Sequence, residues 1–223
     1  MSQDFYAENQ ANWNDRAQVH ATSELYQLDH YRDDPHHVSG VVSFDAARFG
    51  SIEGLSVAHL QCHIGTDTIS LKRIGASSVV GLDFSDQALG VAMELAADAA
   101  PEGVRFVEAS AYDAAEAIGH TVDFVYTSVG TICWLHDINR WAAAVSGLLE
   151  PGGRFYIRDA HPFLFVFEEV DGVIKPHFNY SYTEDEPLTW NEDFTYSDDP
   201  NEIGIHHTRS HEWNHSLTDI VTA

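Results

Sequence analysis

The sequence predicts an α/β domain, doubly wound on a mostly parallel sheet, and two observations carry that reading. Between residues 55 and 160, short apolar runs rich in β-branched residues alternate with segments of helical periodicity. Each passage from one to the other is marked by a turn or capping residue. Strands separated by helices return to the same edge, which gives parallel neighbours joined by right-handed crossovers.

Taken in order, residues 1–50 read as a helical N-terminal cap. Phe5, Asn9, Trp13, Ala17 and Ala21 recur at helical spacing, a second short helix is expected from Ser23 to Tyr31, and Asp33-Asp34-Pro35 breaks it. The core is residues 51–160. Ser56–Leu60 reads as its first strand, and a turn through Cys62 to Gly65 leads to a helix, Thr66 to Ile74, stopped by Gly75. Ser78–Asp83 is the second strand. Ser85 caps a helix running to about Ala99, with Leu89, Ala92, Met93 and Ala96 on its inner face. Val104–Val107 and Val122–Tyr126 are the third and fourth strands. Ile138 to Leu149 is a helix whose Trp141, Val145, Leu148 and Leu149 face inward. Pro151-Gly152-Gly153 then turns the chain into a fifth strand, Arg154–Arg158. The alternation stops there. Residues 160–206 hold four prolines and nine aromatics, from Phe163 to Tyr196, and read as a lid inserted over the carboxyl edge of the sheet, walling an apolar substrate pocket or forming a minor core. Residues 207–223 read as a late strand and the start of a helix capped by Ser216. Repeats and a second domain are not apparent.

Bulk properties narrow the function. The 223 residues are 44% hydrophobic, with no run approaching the ~18–20 apolar residues that cross a bilayer. The first residues lack the basic start and apolar run of a signal peptide, and two cysteines make no disulfide framework, so a reducing cytoplasm is expected. Eleven basic against 35 acidic side chains give a net charge of −24. Such a surface repels phosphate backbones and anionic lipid, which leaves a small molecule as the expected partner.

Ligands of open parallel sheets bind beyond the carboxyl ends of the strands, where strand order reverses. The turn after the first strand therefore matters most, and it reads Gln61-Cys62-His63-Ile64-Gly65. Gly65 stands where the backbone enters a helix whose N-terminus offers free N–H groups. Asp83 ends the second strand eighteen residues later, the place for a carboxylate that accepts from both hydroxyls of a ribose.

Val57 to Asp67, Gly81-Leu82-Asp83-Phe84-Ser85 and Leu149-Glu150-Pro151-Gly152-Gly153 resemble the first, second and late motifs of class I S-adenosylmethionine-dependent methyltransferases, over about residues 55–160. The resemblance implies a Rossmann-like fold, S-adenosylmethionine as cofactor and methyl transfer as activity. It places Gln61, Cys62 and Gly65 in the cofactor loop, Asp83 and Phe84 at the ribose, Ser110 and Ala111 beside adenine, and Ser128 under the methionine part. It also implies a covering N-terminal helix, with Arg16 toward the cofactor carboxylate and Trp13 toward its sulfonium. The sequence departs from the family pattern at His59, where an acid is usual, at Gln61 and His63, which replace two of three loop glycines, and at Ser110. Gln61 is expected to donate to the cofactor carboxylate instead. A loop with one glycine also disfavours a dinucleotide, whose pyrophosphate needs close backbone approach.

Methyl transfer needs a base only where the nucleophile must lose a proton. No catalytic residue is assigned; the candidates at the carboxyl edge are Tyr126, His136, Asp159 and His161. His207, His211 and His215 lie on one strand face with ~13 Å between successive positions, so no metal site is expected. The family usually ends with a helix and an antiparallel hairpin. His207 to Trp213 reads as the first strand of that hairpin, the last strand is expected to be missing, and the edge so uncovered is expected to form an oligomer contact, a homodimer being one form of it, or to lower stability. Two functions stand: an enzyme that methylates a small molecule, or a protein of the same fold that binds S-adenosylmethionine or a similar nucleoside without turnover.

Overall fold

The computed structural model describes residues 4–99, 102–170, 172–176 and 186–223. Three helices precede the sheet: α1 (Phe5–Thr22), α2 (Leu28–Asp33) and α3 (Gly40–Phe49). Asp4 and Ser39 cap the first and third by accepting from Ala7 N and Val42 N. The second starts at Leu28 rather than Ser23, because the Ser23 hydroxyl is drawn off to Asp198. The third was not anticipated.

Strands β1 (Ser56–Leu60), β2 (Ser78–Asp83), β3 (Val104–Glu108), β4 (Val122–Ser128) and β5 (Leu149–Arg158) form one parallel sheet in the order β3-β2-β1-β4-β5. Between them run α4 (Thr66–Arg73), α5 (Asp86–Ala99), α6 (Ala114–Ile118) and α7 (Ile138–Leu148). Such a sheet buries both faces, so its strands are apolar on both sides. Ala58, Leu60, Val80, Leu82 and Val125 pack under α6 and α7, against Trp141, Val145 and Leu148. Val57, Val79 and Phe124 pack on the other face with Val42 and Phe49 of α3 and Leu71 of α4. On α5 the inward residues are Ala88, Leu89, Ala92 and Leu95, whereas Met93, expected inside, is 54% exposed. Met93 lies one residue past Ala92, about 100° around the helix and off the stripe. The Pro-Gly-Gly segment is an excursion within β5 rather than a turn before it: Leu149 pairs with Val122 and Arg154 with Phe124.

Beyond β5, a 3₁₀ turn (Pro162–Val166) leads into a hairpin of β6 (Phe167–Val170) and β7 (Val173–Pro176). Phe178, Tyr180 and Tyr182 of the expected lid lie outside the described residues. Strand β8 (Leu188–Asn191) pairs antiparallel with β9 (Arg209–Glu212). The late strand thus joins a separate ribbon, not the main sheet, because α1 captures it. The Asn9 amide donates to the His211 carbonyl at 2.9 Å and accepts from the His211 N–H at 2.7 Å, a side chain standing in for a pairing strand. The three histidines of that face go to separate partners, His207 to Asp15, His211 to Glu8 and His215 to the Leu135 carbonyl. Ser216 and Asp219 form a capping box on α8 (Leu217–Thr222). Among the described residues the main sheet stops at β5, and no helix is long and apolar enough to cross a membrane.

One buried carboxylate ties the N-terminal helices to the sheet. Asp45 of α3 is fully buried and accepts from Tyr126 (2.7 Å), Ser128 (3.0 Å), Tyr156 (2.9 Å) and the Arg158 guanidinium. Burial alone would raise its carboxyl, but these donors, Arg158 first, hold it below its ordinary value. Removing the acceptor leaves a cation and three hydroxyls without it. Asp45→Ala should therefore cost about 3–5 kcal/mol in urea unfolding. A depressed pKa in the folded chain means that this contribution is present above the unfolded carboxylate pKa of about 4 and is lost as pH falls through the folded value. The urea midpoint of Asp45→Asn should accordingly vary less with pH below about 4 than that of the unaltered protein.

Candidate cofactor and active site

Strand order reverses between β1 and β4, and the loops at the carboxyl ends of β1 to β4 surround two cavities. The first, of about 290 Å³, is walled by Tyr6, Leu82, Phe84, Ala111, Tyr112 and Trp213, with Asp83 and Ser110 on its polar side. The second, of about 560 Å³, shares Gln61, Asp83, Phe84 and Trp134 with it and runs on over Ser128–Thr131 to Tyr31, His37 and Ser39.

The loop between β1 and α4 sets their shape. Gln61, His63 and Gly65 have φ of 56°, 50° and 78°, so every second residue is left-handed. The two side chains that replace glycine keep the backbone that glycine would adopt, at about 1–2 kcal/mol each. Hydrogen bonds hold them there. Cys62 N donates to Leu82 O (2.9 Å), Gly65 N to Cys62 O (3.0 Å), and the Gln61 amide to Thr131 O (2.8 Å). Only Gly65 could not be exchanged, since a Cβ there would lie 2.7 Å from Ala92 Cβ and 2.9 Å from Phe106 Cζ.

Asp83 is 6% exposed, lines both cavities and accepts from His63 N (2.8 Å) and Ser85 N (3.0 Å). Burial pushes its carboxyl up to about 6 against those two bonds. A carboxylate offers about four acceptor positions, so two remain.

His63 lines the second cavity and opens a chain of neutral imidazoles. Its Nε2 lies 2.7 Å from His20 Nδ1, and His20 Nε2 lies 2.8 Å from the Thr195 hydroxyl. Burial, reinforced by the charge of Arg16, lowers His20 to about 3; burial, then His20 and Arg16, hold His63 well below its ordinary value. Trp13 packs edge-on to His63 and to Trp134, each at 5.2 Å, and lines the second cavity.

Several expectations need correction. Arg16 lines neither cavity. Its guanidinium lies over Trp13 and Trp134, at 5.4 and 5.9 Å, and donates to Asn12 (2.7 Å). The Gln61 amide is engaged by Thr131 O rather than left for a ligand carboxylate. Cys62 and Ser128 reach the second cavity, where the Ser128 hydroxyl is already donated to Asp45. Tyr126 is wholly buried with its hydroxyl on Asp45. His161 is outside both cavities and caps the following turn at Phe163 N (3.1 Å). His136 stands in the first cavity beside Tyr112. Asp159 accepts from the N–H groups of Gly130, Thr131 and Ile132, fixing the loop after β4. Among the described lid aromatics, Phe163, Phe194 and Tyr196 are exposed, and Tyr196, whose hydroxyl meets that of Tyr26, lines the second cavity.

The walls that sequence reasoning missed come mostly from the segment between α1 and α3. Leu25, Tyr26, Tyr31, His37, Ser39 and Val41 all line the second cavity, with Asp67 of α4 facing them. Polar residues in a turn carry no periodic signal, so nothing in the sequence set them apart.

The sequence from 58 to 155 matches the family model of a methyltransferase domain. The matched stretch, under half of the chain, runs from β1 into β5 and holds the turn after β1 and Asp83. The fold of the chain is shared by solved structures of low sequence identity. The DhpI–SAH complex superposes with a TM-score of 0.61 at 14% identity, covering 100% of this chain and 86% of that one. An S-adenosylmethionine-dependent methyltransferase from Mesorhizobium loti gives 0.58 at 19%, over 82% and 78%. A putative one from Listeria monocytogenes gives 0.57 at 15%, over 81% and 79%. No curated protein matches the chain in sequence.

His63 sets two effects against each other. His63→Gly relieves about 1 kcal/mol of backbone strain. It also deprives the buried His20 of a partner, at about 1–3 kcal/mol, and removes ring packing against Trp13 and Tyr26. The loss is the larger, so the glycine variant should unfold at lower urea concentration than the unaltered protein.

Proposed function

We propose that this protein is a class I S-adenosylmethionine-dependent methyltransferase that acts on a small molecule held in the second cavity while the nucleoside of its cofactor occupies the first. The carrying observation is the continuity of the two chambers along Gln61, Asp83, Phe84 and Trp134. The larger is roofed by residues 25–41 and Tyr196, which suits a compact ligand rather than a polymer.

The residues present fit the cofactor. Asp83 keeps two acceptor positions at the shared wall, which suits the ribose hydroxyls. Phe84, Ser110 and Ala111 border the space for adenine, with Tyr6 packed on Phe84 at 5.5 Å. The left-handed loop Gln61–Gly65 and the chain at Ser128 border the methionine part, and Trp13 covers it. Arg16 acts at one remove, by fixing the Trp13 and Trp134 rings. Bound S-adenosylmethionine supplies an activated methyl group. The protein's contribution is to orient donor and acceptor and to exclude water. Binding without turnover rested on the altered loop, and a loop that retains its backbone geometry gives that reading no support.

Asp83→Ala should abolish binding of S-adenosylhomocysteine in calorimetric titration, a loss of about a hundredfold or more for two hydrogen bonds to a charged acceptor. Undiminished affinity would overturn the ribose assignment. Because the ligand prefers the ionised carboxylate, raised to about 6, affinity should be flat above about pH 7 and approach a tenfold loss per unit well below pH 6.

A further inference from the structure

The second cavity carries an unusual charge balance. Its lining includes two carboxylates, Asp67 and Asp83, and no lysine or arginine. Its three histidines do not offset them. Burial lowers His59 to about 3 and His63 well below its ordinary value, and lowers His37 with help from His30 and Arg73, so all three are mostly neutral at pH 7. Asp83 belongs to the wall shared with the first cavity. Asp67, in the first turn of α4, lines the second cavity only, with the Ser39 hydroxyl on its carboxylate and Tyr31 within reach of its charge.

Two features set Asp67 apart from a solvated helix-start acid. It lines a concave chamber, and burial, with the neighbouring charge of Asp45, raises its carboxyl to about 6, only partly offset by the Ser39 hydroxyl and the more distant Arg158. A carboxylate so placed is poorly compensated by the protein itself. The chamber is also bordered by the rings of Tyr26, Tyr31, Trp13 and Trp134. Aromatic faces accept an apolar body and favour a cation. A carboxylate or phosphate ligand would instead meet the like charge of Asp67 and Asp83.

We propose that the methyl acceptor is an amine-bearing small molecule with an aryl or other apolar body, whose ammonium group pairs with Asp67. This rests on the small-molecule reading above and assigns Asp67 to specificity. The amine serves as an anchor, whichever atom of the substrate takes the methyl group.

The test uses the protein saturated with S-adenosylhomocysteine. Benzylamine, phenethylamine, tyramine and tryptamine are titrated alongside the alcohol and carboxylate of each same body, into the unaltered protein and into Asp67→Asn. The unaltered protein should bind at least one amine about tenfold more tightly than its alcohol, and the carboxylate most weakly of the three. Asp67→Asn should erase the preference for amine over alcohol while holding S-adenosylhomocysteine within about twofold, which also certifies its fold. The proposal is overturned if no amine outbinds its alcohol, or if the preference survives in Asp67→Asn. It is equally overturned if Asp67→Asn weakens S-adenosylhomocysteine as much as it weakens the amine, since Asp67 would then serve the cofactor. If the unaltered protein fails to bind S-adenosylhomocysteine at all, the underlying functional reading falls first.

Discussion

The Asp83 carboxylate is the point from which the site hangs. One oxygen holds the N–H of His63 and the other that of Ser85, so a single side chain fixes both the strained loop after β1 and the start of α5. The arrangement is reciprocal. The loop keeps left-handed residues at 61 and 63 because its amides have acceptors, and the carboxylate tolerates burial because the amides reach it. Replacing glycine there adds side chains without changing the path of the backbone. The demand of the site is for a direction of N–H groups, which more than one residue type can meet at moderate cost.

The added side chains have a use of their own. A glycine at 63 would leave a gap beneath α1. His63 fills it and bonds to His20, which reaches Thr195 beyond β8. The loop after β1, the N-terminal helix and the segment after β8 are thereby joined through two neutral rings and a hydroxyl. Closure of the site and conformation of the loop become one packing problem, and burial of both imidazoles keeps charge out of it.

The fold was legible because its determinants are periodic and local. Apolar strands, the Ser85 cap, Gly65 and Asp83 each act within a few residues of where they stand. The site was legible only where it shares those positions. Asp83 and the β1 loop were readable. The roles of Tyr126, His136 and His161 were not, since each depends on a partner far along the chain: Asp45 for the first and Tyr112 for the second, with His161 turned aside by a local cap. The chamber was sought in the aromatic lid and lies mainly under residues 25–41, which have no period to announce them. The late strand was readable as a strand but not as part of a ribbon, because its partner on one side is the amide of Asn9 rather than another backbone.

How that roof stays in place follows from the scarcity of cations. With 11 basic residues against 35 acids, the chain could be expected to spend them on surface pairs, each worth at most about 1 kcal/mol. Arg32, Arg140 and Arg209 form such pairs, but Arg73 donates to the carbonyls of Tyr31, Asp34, His37 and Ala99, at 2.7–3.0 Å, and Arg154 to those of Phe49 and Ser51. A planar guanidinium can satisfy several fixed carbonyls at once, which an ammonium cannot do in the same geometry. The turn from α2 to α3 has no regular pairing of its own, so its carbonyls need such a donor. Arg73 thus orders the segment that carries Tyr31, His37 and Ser39, while its charge stays on the outer side of that segment. The chamber gains a fixed wall without gaining a positive lining, and the Asp67 carboxylate remains the dominant charge there.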